Sequence, residues 1–258
     1  MSFKEYLKVK PANLGSTFAF YYLGLKTFLN YFVFHNRDSY GKNENNEEVN
    51  ELIKVKFNDM ILNVRKKNFI HDVQHYLLRH EPNVRDWFSF QKGEVFVDVG
   101  AYIGAYTLRA AKSECTVYAF EPNPFSFKIL SLNVKDNGLE NYVKLFNVAV
   151  GDREGEIFIT LDFDTTRVSD SGYKVRMITL DSLKLQKVDW LKVDVEGFEK
   201  EVLGGAESTL DVTDKIIIEV RKENRNFVEK VMLEHGFKEA KEEETYPGIY
   251  NIMYVKRR

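Results

Sequence analysis

Several acidic side chains stand where short apolar runs end, and that placement gives them chemistry to do. Asp98 lies within Val95–Val99, just before a glycine turn at Gly100 and Gly104, and Glu121 closes Val117–Phe120. Asp194 and Glu196 bracket the end of Trp190–Val195, and Glu219 stands near the end of Lys215–Val220. Open α/β sheets bind ligands in the crevice beyond the carboxyl ends of their strands. An acid at the end of a second strand can accept two hydrogen bonds from a ribose diol, which marks Glu121 as a nucleoside contact. Gly100 and Gly104 carry no side chain, so the turn can use positive φ and a ligand can approach its backbone. The helix that follows is expected to aim its unpaired N–H groups at whatever sits on the turn.

Spacing and charge then separate the cofactors. A dinucleotide turn wants G-x-G-x-x-G, whereas this one offers Asp98-x-Gly100 and then Gly104, with no third glycine. With Asp98 in the first turn, the bound group must accept a negative neighbour. A pyrophosphate does not, while the amino group and sulfonium of S-adenosyl-L-methionine do. Methyl transfer from a sulfonium is an in-line displacement that needs the acceptor about 3 Å from the methyl carbon. A neutral hydroxyl is a weak nucleophile, so a base should take its proton as attack proceeds. Alternation along an extended strand places Asp194 and Glu196 on one side, with Asp194 expected near the cofactor and Glu196 toward the acceptor. Two other readings stand beside this one: Glu196 as a cap of the following helix, and Glu219 as a further base. Glu199 is expected to be structural. Methylation of exocyclic amines calls for Asn/Asp-Pro-Pro-aromatic at this strand end, and here the chain reads Asp194-Val-Glu-Gly197.

Five motifs follow one another in order: Asp98–Gly104, Phe120–Pro124, Asn147–Val150, Ile178–Leu183 and Leu191–Glu199. Together, from about Lys92 to Val220, they resemble the successive motifs of FkbM-type methyltransferases. The resemblance implies an α/β, Rossmann-like class I methyltransferase fold, S-adenosyl-L-methionine as cofactor, and methyl transfer to a hydroxyl oxygen, often on a sugar or polyketide. The cofactor contacts expected on this chain are Asp98, Gly100, Ala101, Tyr102 and Gly104, then Glu121, Pro122 and Asn123. Asn147 and Val148 are expected near the adenine, Asp194 completes the cofactor set, and Asp194 with Glu196 is the expected catalytic pair. No metal site is expected.

The elements that position these residues are legible from Gly93 onward as strand–helix alternation, which implies a mostly parallel sheet. Strands are expected at 95–99, 117–121, 143–147, 190–195 and 215–220. Helices are expected at about 103–111 and 124–137, around Phe198–Ala206, and around Phe227–Met232. Between the third and fourth strands, Gly155–Leu161 and Tyr173–Leu180 read as an inserted β-hairpin, whose polar connection could bring Arg167, Ser169 and Asp170 to substrate. Phe237–Glu242 and Ile249–Lys256 read as a C-terminal antiparallel strand pair, a methyltransferase feature that argues against a dehydrogenase. Residues 92–258 thus form the methyltransferase domain, and residues 1–91 an N-terminal extension. That extension holds a hairpin at 53–64 turned at Asn58-Asp59 and a helix at 69–79 that carries His71 and His75 on one face. His71 or Asp72 is a candidate for the substrate side, because this segment can cover the pocket.

Composition bounds the rest. The 258 residues are 44% hydrophobic, ample for one α/β domain with an appended segment, and the formal net charge of −2 supplies no general attraction for nucleic acid. The single cysteine, Cys115, excludes an intrachain disulfide framework and fits a reducing, cytoplasmic setting. No signal peptide is evident. Residues 17–34 read as an amphipathic aromatic helix interrupted by Lys26 and Asn30, suited to docking on the core or on a second subunit, or to peripheral membrane contact. The expected acceptor is a hydroxylated small molecule or glycan. RNA methylation, a non-catalytic assembly partner and an NAD-dependent oxidoreductase are the competing readings.

Overall fold

The computed structural model describes residues 9–12, 52–77, 81–161 and 166–257. The aromatic segment 17–34, the polar run 43–48 and His80 lie outside the described residues. Strands β1 (Val9–Pro11), β2 (Leu52–Phe57) and β3 (Met60–Arg65) form an antiparallel sheet. Its β2–β3 turn falls at Asn58-Asp59, where Asn58 takes the left-handed conformation that asparagine tolerates. Helices α1 (Phe69–Tyr76) and α2 (Pro82–Trp87) follow.

Alternation then sets in: β4 (Val95–Val99), α3 (Ala105–Lys112), β5 (Thr116–Phe120), α4 (Pro124–Asp136) and β6 (Val143–Phe146). Helix α4 starts where Pro124 needs no amide partner and the Asn123 side chain accepts from the Phe125 N–H at 3.0 Å. The insertion is larger than the expected hairpin. Strands β7 (Ala149–Val150), β8 (Gly155–Ile159), β9 (Val168–Ser169) and β10 (Tyr173–Ile178) form a separate four-stranded sheet in the order β7-β10-β8-β9. The chain returns through β11 (Val188–Val193), α5 (Glu199–Gly204), α6 (Glu207–Asp211), β12 (Thr213–Arg221), α7 (Arg225–Glu234), β13 (Phe237–Tyr246) and β14 (Ile249–Lys256).

The central sheet has the order β13-β14-β12-β11-β4-β5-β6. Strands β4, β5, β6, β11 and β12 are mutually parallel, and β14 inserts antiparallel between β12 and β13. The order reverses between β4 and β11, which leaves a crevice at their carboxyl ends. Both faces are covered, so the strands read as near-continuous apolar runs. Phe96, Trp190 and Ile217 pack on one side with the N-terminal hairpin, α1, α3 and α4. Val97, Leu191 and Ile218 pack on the other with α5, α6 and α7. The hairpin at 52–65 therefore shares one core with the methyltransferase sheet.

Candidate active site

A cavity of about 440 Å³ opens at the carboxyl ends of β4, β5, β11 and β12. Among the residues expected at the cofactor, Asp98, Gly100, Ala101, Tyr102, Glu121, Pro122 and Val148 line it, as does Asp194. Glu196 lines it too, while Gly104, Asn123 and Asn147 do not. Each of these last three has another task. Gly104 sits at φ 100°, where a Cβ would lie 2.7 Å from Leu130, so its bareness lets α3 pack on α4. Asn123 caps α4 and donates to Thr166. The Asn147 amide donates to the Glu121 and Pro122 carbonyls, which fixes the end of the second motif instead of facing a ring edge.

The turn after β4 is tied to its neighbours by backbone contacts. A Cβ on Gly100, at φ 83°, would overlap the Asp194 carbonyl oxygen, so glycine here serves the close approach of two strand ends as well as a ligand. The amides of Gly100 and Ala101 both donate to the Phe120 carbonyl, at 3.0 and 2.9 Å. They are therefore spent on β5. Tyr102 holds a left-handed φ of 52°. Its amide donates to Glu121 Oε2 at 2.8 Å, its hydroxyl bonds Arg65, and its ring lies 4.8 Å from His75. Arg65 is held in turn by Asp72, buried within a 2.6 Å ion pair. Asp72 is thus structural, and His71 and His75 are the α1 residues that line the cavity.

Two acids mark this side of the cavity. Asp98 is 1% exposed, and burial pushes its carboxyl up, opposed by Lys192 and by the Thr107 hydroxyl that donates to Oδ2 at 2.6 Å. Its other oxygen, Oδ1, is buried with no hydrogen-bond partner. Glu121 accepts from the Tyr102 and Asn123 amides, each at 2.8 Å, and burial pushes it up to about 7 against those two bonds. Each of its oxygens keeps a lone pair for a ribose hydroxyl. An orphaned buried carboxylate oxygen and a preset diol acceptor fit a cationic nucleoside, and so fit S-adenosyl-L-methionine.

The far side gathers what the sequence scatters. Strand β11 ends at Val193, so Asp194 and Glu196 lie beyond it and strand alternation does not align them. Glu196 instead takes a left-handed φ of 53° ahead of Gly197, and that turn swings its carboxylate back. Ligand oxygens of Asp194, Glu196 and Glu219 all fall within 4.8 Å of one another. Three carboxylates at that spacing can surround a cation, but two already have cations of this chain, so we assign no metal ligands here. Lys192 Nζ bonds Asp194 Oδ2 at 2.9 Å, and Arg221 Nη2 bonds Glu196 Oε2 at 2.6 Å. Burial and Asp194 push the Glu196 carboxyl up, with Arg221 opposing. The helix that follows has no side-chain cap, and Glu199 braces the turn ahead of it, accepting from the Gly197 amide at 2.7 Å and from Asn224.

Lys192 is the functional residue that motif reasoning passes over. It is 5% exposed, lies opposite Asp98 in the β4–β11 register, and its ammonium sits 5.2 Å from the Tyr106 ring centroid. Coulomb attraction to Asp194, Asp98 and Glu81 outweighs the cost of burial and holds it firmly protonated. A lysine inside the wholly buried strand Val188–Val193 was the available signal, because lysine is almost never buried unpaired. In the insertion, Arg167 lines the cavity, whereas Ser169 and Asp170 do not.

The Methyltransferase FkbM domain model matches residues 98–239. The Hexuronic acid methyltransferase AglP of Haloferax volcanii is 31% identical over 138 residues, covering 50% of this chain and 57% of that protein. The human tRNA (guanine(37)-N(1))-methyltransferase is 32% identical over 95 residues, covering 35% of this chain but only 19% of that protein. The chain thus spans 57% of the first of these relatives and about a fifth of the second, in each case less than two thirds. Among solved structures, the Methyltransferase FkbM of Methylobacillus flagellatus KT superposes with a TM-score of 0.50 at 16% identity, over 66% of this chain and 45% of that one, a likeness of fold. Among the described residues, no helix is long and apolar enough to cross a membrane.

Proposed function

The chain belongs to the FkbM methyltransferase family and takes S-adenosyl-L-methionine as cofactor, and from that premise we propose that it methylates a hydroxyl oxygen on a sugar, glycan or other small molecule. When bound, the cofactor supplies an electrophilic methyl group on a positively charged sulfur. Asp98 and Glu121 would hold its cationic and ribose parts, with Gly100, Ala101, Tyr102, Pro122 and Val148 along its path. Asp194, fixed by Lys192, and Glu196, fixed by Arg221, would orient cofactor and acceptor at the reacting end.

The observation that carries this reading is the carboxylate cluster at the acceptor end of the cavity. A hydroxyl must lose a proton to become an ether, and a half-buried acid group is suited to take it. Arg167 supports a sugar acid among such acceptors. Its exposed guanidinium has no partner among the described residues and lies close enough to act on Glu196, so an acceptor carboxylate can pair with it. The half-chain match to a hexuronic acid methyltransferase points the same way. The tRNA-modifying relatives favour RNA, but their matches cover about a fifth of those proteins, and both net charge and the acid-lined cavity oppose a phosphate backbone.

The test is transfer of tritium from S-adenosyl-[methyl-³H]methionine to a panel of glucuronides, neutral glycosides and unmodified tRNA transcripts. Label in an ether on a glycoside, strongest on the glucuronides, is expected. Label confined to tRNA would overturn the reading.

A further inference from the structure

Of the three carboxylates gathered beyond β11 and β12, one has no cation of its own. Asp194 is bonded to Lys192 and Glu196 to Arg221, whereas the Glu219 carboxylate makes no hydrogen bond or ion pair among the described residues. Glu219 nevertheless lines the cavity, and one of its oxygens lies within 4.8 Å of ligand oxygens of both other acids. A carboxylate paired with a guanidinium or ammonium loses the attraction between the two charges when it takes a proton; an unpaired one has none to lose.

We propose that Glu219, and neither Asp194 nor Glu196, accepts the proton of the acceptor hydroxyl; this rests on the hydroxyl-methylation reading above. As the acceptor oxygen bonds to the methyl carbon, the C–S bonding pair leaves with the sulfur and the O–H proton passes to Glu219. One positive charge disappears at sulfur and one negative charge at the carboxylate, so the step needs no further reactant.

The charged groups around Glu219 come from several elements. Lys192 and Asp194 face it from β11 and its end, Glu196 from the next turn, and Glu81 from the chain ahead of α2. Arg221 stands two residues along the same strand, already committed to Glu196. On β14 its register partner is the neutral Asn251, whose amide donates to Thr245. Arg167, His71 and His75 also line the cavity, as do Asp98, Glu121 and the phenols of Tyr102, Tyr106 and Tyr246. Burial, then Asp194 and Glu196, push the Glu219 carboxyl up to about 9, with Lys192 opposing. At pH 8 it therefore carries its proton in the free protein. A positive charge beside it favours the ionised form and prepares the base.

This makes the proposal testable without knowing the acceptor. Calorimetric titration of the full chain at pH 8, in buffers of different ionisation enthalpy, counts protons released on binding. S-adenosylmethionine carries the sulfonium and S-adenosylhomocysteine does not. The first should release about one proton more than the second, and Glu219→Gln should abolish that difference. In the wild type alone, the affinity advantage of S-adenosylmethionine over S-adenosylhomocysteine should grow about tenfold for each unit that pH rises, levelling off near pH 9, a readout that stands if Glu219→Gln does not fold. Equal proton release for the two ligands, or a difference retained in Glu219→Gln, would overturn the assignment while leaving the hydroxyl acceptor intact. Transfer of label to RNA alone, with the proton difference present, would instead remove the acceptor reading.

Discussion

Tyr102 after β4 and Glu196 after β11 both hold left-handed backbone, at φ 52° and 53°, and each sits close to a glycine at positive φ, Gly100 and Gly197. The two turns flank the same crevice, yet their acids are held in different ways. After β4, hydrogen bonds come from neutral donors: the Thr107 hydroxyl on Asp98, and two backbone amides on Glu121 beside it. After β11 they come from cations, Lys192 on Asp194 and Arg221 on Glu196. Neutral donors orient a carboxylate and leave its charge to attract a cationic ligand. Ion pairs orient it and cancel the charge, so the second turn positions groups and the uncommitted Glu219 is left to handle the proton. Backbone strain of this kind gathers at functional sites because the surrounding contacts over-determine it.

That contrast can be broken most forcefully at Lys192. Replacing it with Met leaves Asp98 and Asp194 without their shared cation and should cost about 3 kcal/mol at pH 8, the low end for a buried pair because the Asp194 side chain is 33% exposed. The melting temperature should fall by roughly 6–12 °C. The raised Asp98 carboxyl takes up its proton before an ordinary carboxylate does as pH falls, so the deficit should shrink toward pH 5. A deficit that ignores pH would mean that the lysine acts through packing alone.

Gly100→Ala tests the seam between the two turns. The added methyl meets the Asp194 carbonyl at a φ that L-residues avoid, so thermal unfolding should register a loss of about 2–3 kcal/mol. Binding of S-adenosylhomocysteine should weaken along with it. Asp98→Asn sharpens the comparison with the least structural damage. It removes charge from a buried carboxyl that burial already disfavours, so stability should hold while calorimetric affinity for S-adenosylmethionine drops by about 2 kcal/mol, some 30-fold. Equal losses of stability and affinity would show that Asp98 supports the fold and not the ligand.

Much of the fold was legible because local patterns stated it. The β2–β3 turn at Asn58-Asp59, the Pro124 start of α4 and the buried parallel strands appear where periodicity and turn residues put them. The inserted sheet was read short, because β7 and β9 are two-residue strands with no period to detect. Asn147 and Asn123 were legible as motif positions but not as backbone braces, since an amide's partner is chosen by whatever main chain passes near it. Lys192 carried a signal in its own strand, a charge among apolar neighbours, that motif reading alone did not weigh.

By itself, then, the sequence determined the order of strands and helices, the acid at each strand end and the preference for a sulfonium over a pyrophosphate. These depend on residue type and on neighbours within a turn or two. The tertiary structure decided which acids share a cation. Lys192 meets Asp98 because β11 lies beside β4, and Arg221 meets Glu196 because the turn at Gly197 folds back over the end of β12. A hydrogen-bonded ion pair forms only when its partners meet within a few ångströms, so which carboxylate keeps a proton is settled by contacts between residues distant in the chain.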